Sequence, residues 1–160
     1  MIYKGQQIKN ITLNMLYDMF RSIGNSSLFI QTTTIGDIFE VDLTETTYPL
    51  LHIGTQTAGY TKNELTYSFQ FIVMDLVSKD ESNEEDVLSD MLQVIGDIIS
   101  KLKNSDYDTN YEEFRHDIRI QDSISCEPFT ERFDNEVTGW TANVSITVNF
   151  NASACSGSVA

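Results

Sequence analysis

A chain of 160 residues with 41% hydrophobic and 21% charged side chains has the size and balance of one folded domain, able to bury a core without disulfides or metal. Its 10 Lys and Arg against 24 Asp and Glu give a net charge of −14, a field that repels phosphate and disfavours sequence-specific nucleic-acid binding. No apolar run reaches bilayer length and the opening MIYKGQQIKN lacks a secretory core, so a cytosolic chain with no membrane partner is expected.

Leu13, Leu16, Tyr17 and Phe20 recur at helical spacing, which predicts a short amphipathic helix over 13–23 with Gly24 as a left-handed cap. The Ser/Thr-rich stretch that follows reads as a connection. Phe39, Val41 and Leu43 then alternate with Glu40 and Asp42, the pattern of a strand with one wet face. Pro49 marks the start of a second strand, Leu50 to Ile53, because proline cannot donate to an interior ladder. GTQTAGYTKN, at 54–63, reads as a long exposed hairpin loop. Beyond it Leu65, Tyr67, Phe69, Phe71 and Val73 alternate with polar residues, and the run turns apolar on both parities towards Val77, predicting a long central strand.

Ser82 and Glu85 form an S-x-x-E capping box, and the helix it announces carries Leu88, Met91, Leu92, Ile95, Ile98, Ile99 and Leu102 on one stripe. An acidic connection at 104–113 leads to a fourth strand with Ile118 and Ile120. In the last strand Trp140, Ala142, Val144, Ile146, Val148 and Phe150 point one way, and Thr141, Asn143, Ser145, Thr147 and Asn149 the other. The order predicts an α+β fold: a single domain over 1–160, with a mainly antiparallel sheet of about five strands. A long amphipathic helix and a shorter N-terminal helix pack it, and residues 151–160 read as a flexible tail.

Little in the chain nominates chemistry. The two histidines, His52 and His116, lie in no nucleophile turn, and Cys126 and Cys155 match no CxxC spacing and read as free thiols. Asp80, Glu81, Glu84, Glu85 and Asp86 gather at a helix start, where negative charge complements the dipole. Asp106, Asp108, Asn110 and Asp117 imitate a calcium loop, but Tyr111 stands where the loop needs glycine. No phosphate-cradling glycine motif occurs. The expectation is therefore a protein without catalytic, cofactor-binding or metal residues, not an enzyme.

The second half carries FQFIVMDLVSKDESNEEDVLSDMLQVIGDIISKL, an acidic loop, F-x-E-R-F-x-x-x-V-x-G-W and an alternating final strand. The motif positions are Phe129, Glu131, Arg132, Phe133, Val137, Gly139 and Trp140. This arrangement resembles the tail-terminator and neck-connector (head–tail joining) proteins of tailed bacteriophages. The resemblance implies a structural virion subunit, assembled in the host cytoplasm into a homo-oligomeric ring, commonly a hexamer. Such a ring caps the tail tube protein, docks to a neck or head-completion protein, and lets DNA pass without specific binding. It places subunit or tube contacts in the loops: Tyr60 at the hairpin tip, and Phe133, Asn135 and Gly139 in the turn before the last strand. Two other classes compete: an acidic protein-binding module that mimics nucleic acid, and a small enzyme built around His52 or His116.

Overall fold

A computed structural model describes residues 2–3, 6–7, 10–42, 45–104, 118–128 and 136–150. Strands β1 (Ile2–Tyr3) and β2 (Gln6–Gln7) pair with each other and precede helix α1 (Leu13–Ser26). Then come β3 (Thr32–Ile35), a 3-10 turn (Ile38–Glu40), β4 (Leu50–Tyr60), β5 (Glu64–Leu76) and helix α2 (Glu84–Lys103). Strands β6 (Ile118–Ile120), β7 (Cys126–Pro128) and β8 (Val137–Asn149) complete the order. The main sheet runs β3-β4-β5-β8-β6, with β7 also on β8, so the domain is α+β with a six-stranded mixed sheet. Every pairing in it is antiparallel except β3 with β4.

Helix α1 starts where Thr12 Oγ1 accepts the Met15 amide at 3.3 Å, satisfying one donor of the free first turn. Its stripe of Met15, Leu16, Met19, Phe20 and Ile23 is buried. Phe20 meets Phe69 and Phe71 of β5 edge-on, with centroids 4.9 and 5.0 Å apart, the arrangement that suits ring quadrupoles. Each such fully buried side chain contributes about 1.5–3 kcal/mol of transfer free energy. The helix does not stop at a left-handed Gly24. It runs on to Ser26, and the Ser27 amide closes it by donating to Gly24 O at 3.2 Å. Gly24 is needed for proximity instead: a Cβ there would fall 2.0 Å from Thr33 Oγ1, so its absence lets β3 pack against α1.

The strand expected at 39–43 is not formed. Asp37 accepts the Phe39 amide at 2.9 Å and nucleates the 3-10 turn, which sends Ile38 and Val41 against Leu50, Ile72, Met74 and Val137 on the sheet face away from the helices. Leu43 lies outside the described residues. The strand is instead β3, in the Ser/Thr-rich connection, where β-branched threonines fit an extended edge. The segment 54–63 is likewise strand for most of its length. It pairs with β5 up to Tyr60, leaving only 61–63 as the turn, with a bulge between Thr55 and Thr57.

The capping box at α2 is replaced by a different arrangement. Asn83 is the cap residue, its Oδ1 accepting the Ser78 amide at 2.8 Å, while Ser82 Oγ lies 3.2 Å from Ser78 Oγ. The loop before the helix holds itself, and the helix begins one residue later than the box requires. Val87, Met91, Val94, Ile95, Ile98 and Leu102 form the buried stripe, whereas Leu92 is 42% exposed and belongs to the outer face. The indole of Trp140 donates to Leu88 O at 2.8 Å and ties β8 to this helix.

Strand β8 pairs with β5 without interruption from Val137↔Leu76 to Asn149↔Glu64. Ala142, Val144, Ile146 and Val148 are buried in the main core with the helices, as the period of two predicts. Cys126–Pro128 forms an edge strand on β8 that the sequence pattern does not announce.

Candidate functional site

The register fixes what each sheet face offers. One face is sealed by α1 and α2. The other carries Thr57, Thr66, Ser68, Gln70, Asn143 and Ser145, all uncharged and all partly or fully exposed. Thr66 and Thr147 share a hydroxyl contact at 3.0 Å across the strands. Charge returns on this face towards the hairpin end, where Arg119 donates to Asn149 Oδ1 at 2.9 Å and to the Glu64 carboxylate, and at the β7 edge, where exposed Glu127 stands opposite Thr141. In a chain of net charge −14, the centre of this face is uncharged among the described residues.

At the other edge, β3 covers only Leu50–Ile53 of β4. Gly36 ends that lane, at φ +130, a conformation that favours glycine, and its amide donates to Ile53 O at 3.0 Å. Thr55 to Tyr60 continue past it with every side chain exposed. Where β3 stops there is an open cleft of about 390 Å³, lined by Gly36, Asp37, His52, Gly54, Thr55 and Gln56 among others. Asp37 is shared with a second cleft of about 440 Å³ that also carries Glu40, Asp42 and Glu45.

His52 borders the first cleft yet is 1% exposed. Its Nε2 lies 2.8 Å from Gly36 O, which can only accept, so this nitrogen carries the proton. Nδ1 then accepts from the Thr34 hydroxyl at 2.7 Å. Burial holds its pKa below the ordinary histidine value, against smaller opposing effects of the Gly36 carbonyl and the Asp37 charge. A neutral imidazole with both nitrogens engaged joins β3 to β4 and has no lone pair left for a substrate. His116 lies outside the described residues.

The remaining titratable groups are equally local. Burial raises the Asp75 carboxyl, the Leu76 amide offsets part of this, and Asp90 adds repulsion in the raising direction. Asp80 is lowered because the Ser82 amide and the Ser82 and Ser78 hydroxyls stabilise its ionised form. Burial also raises the Cys126 thiol, which disfavours its thiolate. Among the described residues no three His, Cys, Asp or Glu side chains converge to hold a metal, and no helix is long and apolar enough to cross a membrane.

Of the contact residues named from the sequence, Tyr60 is 66% exposed at the end of β4, its ring meeting Phe150 at 5.0 Å. Gly139 is buried inside β8 opposite Met74, not displayed in a turn. A Cβ there would lie 1.9 Å from Val73 O, so this glycine serves the close approach of two strands. Phe133 and Asn135 lie outside the described residues. Sequence reasoning missed the free edge and the cleft beside it; the signal available was a run without charge, Thr46 to Thr61, in an acidic chain. Compared with protein-family models and with curated proteins, the chain gives no match.

Proposed function

We propose that this chain is a non-catalytic assembly subunit that forms a ring at the head-proximal end of a phage tail or in the neck, capping the tube and joining it to the head connector. The observation that carries the reading is the β4–β5 arm, which projects past β3 with an exposed strand and Tyr60 at its end. It is a contact element held on a rigid sheet, the arrangement that favours geometric recognition over turnover. The sequence resemblance supplies the tail-terminator or neck identity. The uncharged centre of the sheet face supports passage of DNA without capture, because it offers phosphate no cation and Arg119 at its margin is engaged by the Glu64 carboxylate. The engaged nitrogens of His52 support the absence of catalysis.

The partners under this reading are further copies of the chain, a tail tube protein and a neck or head-completion protein. Negative-stain imaging of the chain alone and beside purified tail tubes tests it. Rings, or capped tube ends, are the expected result. Neither appearing would refute the assembly reading and favour the acidic binding module, for which the exposed Glu85, Asp86 and Asp90 on α2 provide a surface.

A further inference from the structure

We infer that the free edge of β4 pairs with the same edge of a second copy about a two-fold axis, the hairpin turn of each copy seating in the cleft of the other. The backbone supplies the first reason. Among the described residues no strand lies beside Thr55–Tyr60, so these residues present backbone donors and acceptors as a template for strand addition. The bulge at Gln56 leaves Thr57–Tyr60 as the regular stretch. Across a two-fold axis symmetry mates point to the same sheet face, so antiparallel pairing of that stretch with itself sets Ala58 opposite Ala58 of the partner.

Geometry and charge supply the second reason. In that register the partner's turn, residues 61–63, falls where β3 has ended, at the cleft lined by Gly36, Asp37, Gly54 and Thr55. The turn carries exposed Lys62, the one charged residue between Glu45 and Glu64, and the cleft carries exposed Asp37, with Glu40, Asp42 and Glu45 in the adjoining one. The two-fold axis makes this pairing twice, lysine to carboxylate at each end of the ladder. Two chains of charge −14 repel wherever carboxylates face each other; this edge brings together neutral backbone and complementary ends. The occupant is thereby a second copy.

The contact goes beyond the ring proposal and does not depend on it, since an isologous pair closes on itself whereas a cyclic ring is built from head-to-tail contacts. A ladder this short, with two ion pairs, is a small interface, so a weak dimer is expected.

Sedimentation velocity of the full chain through the micromolar range, at physiological salt to screen net repulsion, should show a reversible monomer–dimer equilibrium. Lys62→Glu and Asp37→Lys should each weaken it roughly tenfold, and the two together should restore it. Ala58→Cys, with Cys126→Ser and Cys155→Ser, should crosslink copies under mild oxidation. A monomer throughout would overturn the proposal and leave the edge to a strand of a different protein. A dimer indifferent to both charge reversals and uncrosslinked through position 58 would also overturn it. Both readouts are independent of the imaging with tail tubes, so failure here and failure of the ring reading are separate results.

Discussion

Replacing Gly24 with alanine sets helix propensity against packing, and the structure says which effect wins. A methyl group favours an exposed helix interior by about 1 kcal/mol over glycine. Here it would lie 2.0 Å from Thr33 Oγ1 and 3.0 Å from both Thr33 Cβ and Cγ2. Rotating Thr33 relieves the first contact and not the second to Cβ, which is fixed to the β3 backbone. Overpacking of this kind costs about 1–3 kcal/mol, so the net change should be a loss of up to about 2 kcal/mol. Among the described residues, Thr33 Oγ1 is also buried without a hydrogen-bond partner. Thr33→Ala therefore removes the Oγ1 and Cγ2 contacts, leaving only the one to Cβ, together with an unsatisfied hydroxyl whose desolvation costs about 1–3 kcal/mol. Urea denaturation of the wild type, both single variants and the double variant, followed by far-UV circular dichroism, closes the cycle. Gly24→Ala should be less damaging in the Thr33→Ala background, with a coupling of about 1 kcal/mol or more. Gly24→Ala stabilising the protein by its helix propensity, with no coupling to position 33, would refute the close-approach argument.

Gly139→Ala should be far more disruptive, because the added carbon meets the Val73 carbonyl and the Met74 Cα, both backbone atoms that cannot rotate away. A loss above about 3 kcal/mol in the same assay, or failure to accumulate as folded protein, is expected. Stability should also fall with pH through His52. Its folded pKa lies below its ordinary value of 6.5, so the unfolded chain takes up the proton first as pH drops. The loss begins below about 6.5 and is complete once the folded histidine titrates; His52→Gln should remove this part of the pH dependence in urea midpoints. Asp75 has the opposite sign, because its raised folded pKa means that the ionised form is disfavoured in the native state. Asp75→Asn keeps an acceptor for the Leu76 amide and should raise the urea midpoint at pH 7, with the gain vanishing as pH falls through the carboxylate range.

What sequence patterning revealed tracks how one-sided the burial is. Strand β8 and helix α2 each bury one face against the same core, so Val144, Ile146 and Val148, or Met91, Ile95 and Ile98, recur with a clean period. Strand β3 has no such signal, because Thr32, Thr33, Thr34 and Ile35 are all partly exposed. The outer half of β4 is exposed on both faces, and its glycines and threonines resemble a loop until β5 supplies the ladder. The alternation of Phe39, Val41 and Leu43 does not mark a strand: Val41 packs with Ile38 on a second small cluster, Phe39 is 85% exposed, and Leu43 lies outside the described residues. The candidate site was less legible still. A free edge is defined by where a neighbouring strand stops, and only the pairing of β3 with Leu50–Ile53 shows that. Gly139 was noticed for its place in a motif, while its use, admitting the Val73 carbonyl, is a property of strand spacing.

The uninterrupted pairing of β5 with β8 also sets the order in which the chain can fold on the ribosome. Thr66 and its cross-strand partner Thr147 are 81 residues apart, so the most apolar strand emerges long before the strand that will cover its flank. Helix α2 is made in between and reaches β5 by a short loop, which makes β5 and α2 the natural early unit and the closing of β8 the slow, non-local step. Until that step, FQFIVM is an exposed run of high strand propensity without charge. Yield in the host should therefore depend more on translation rate and chaperone supply than the stability of the finished domain would suggest.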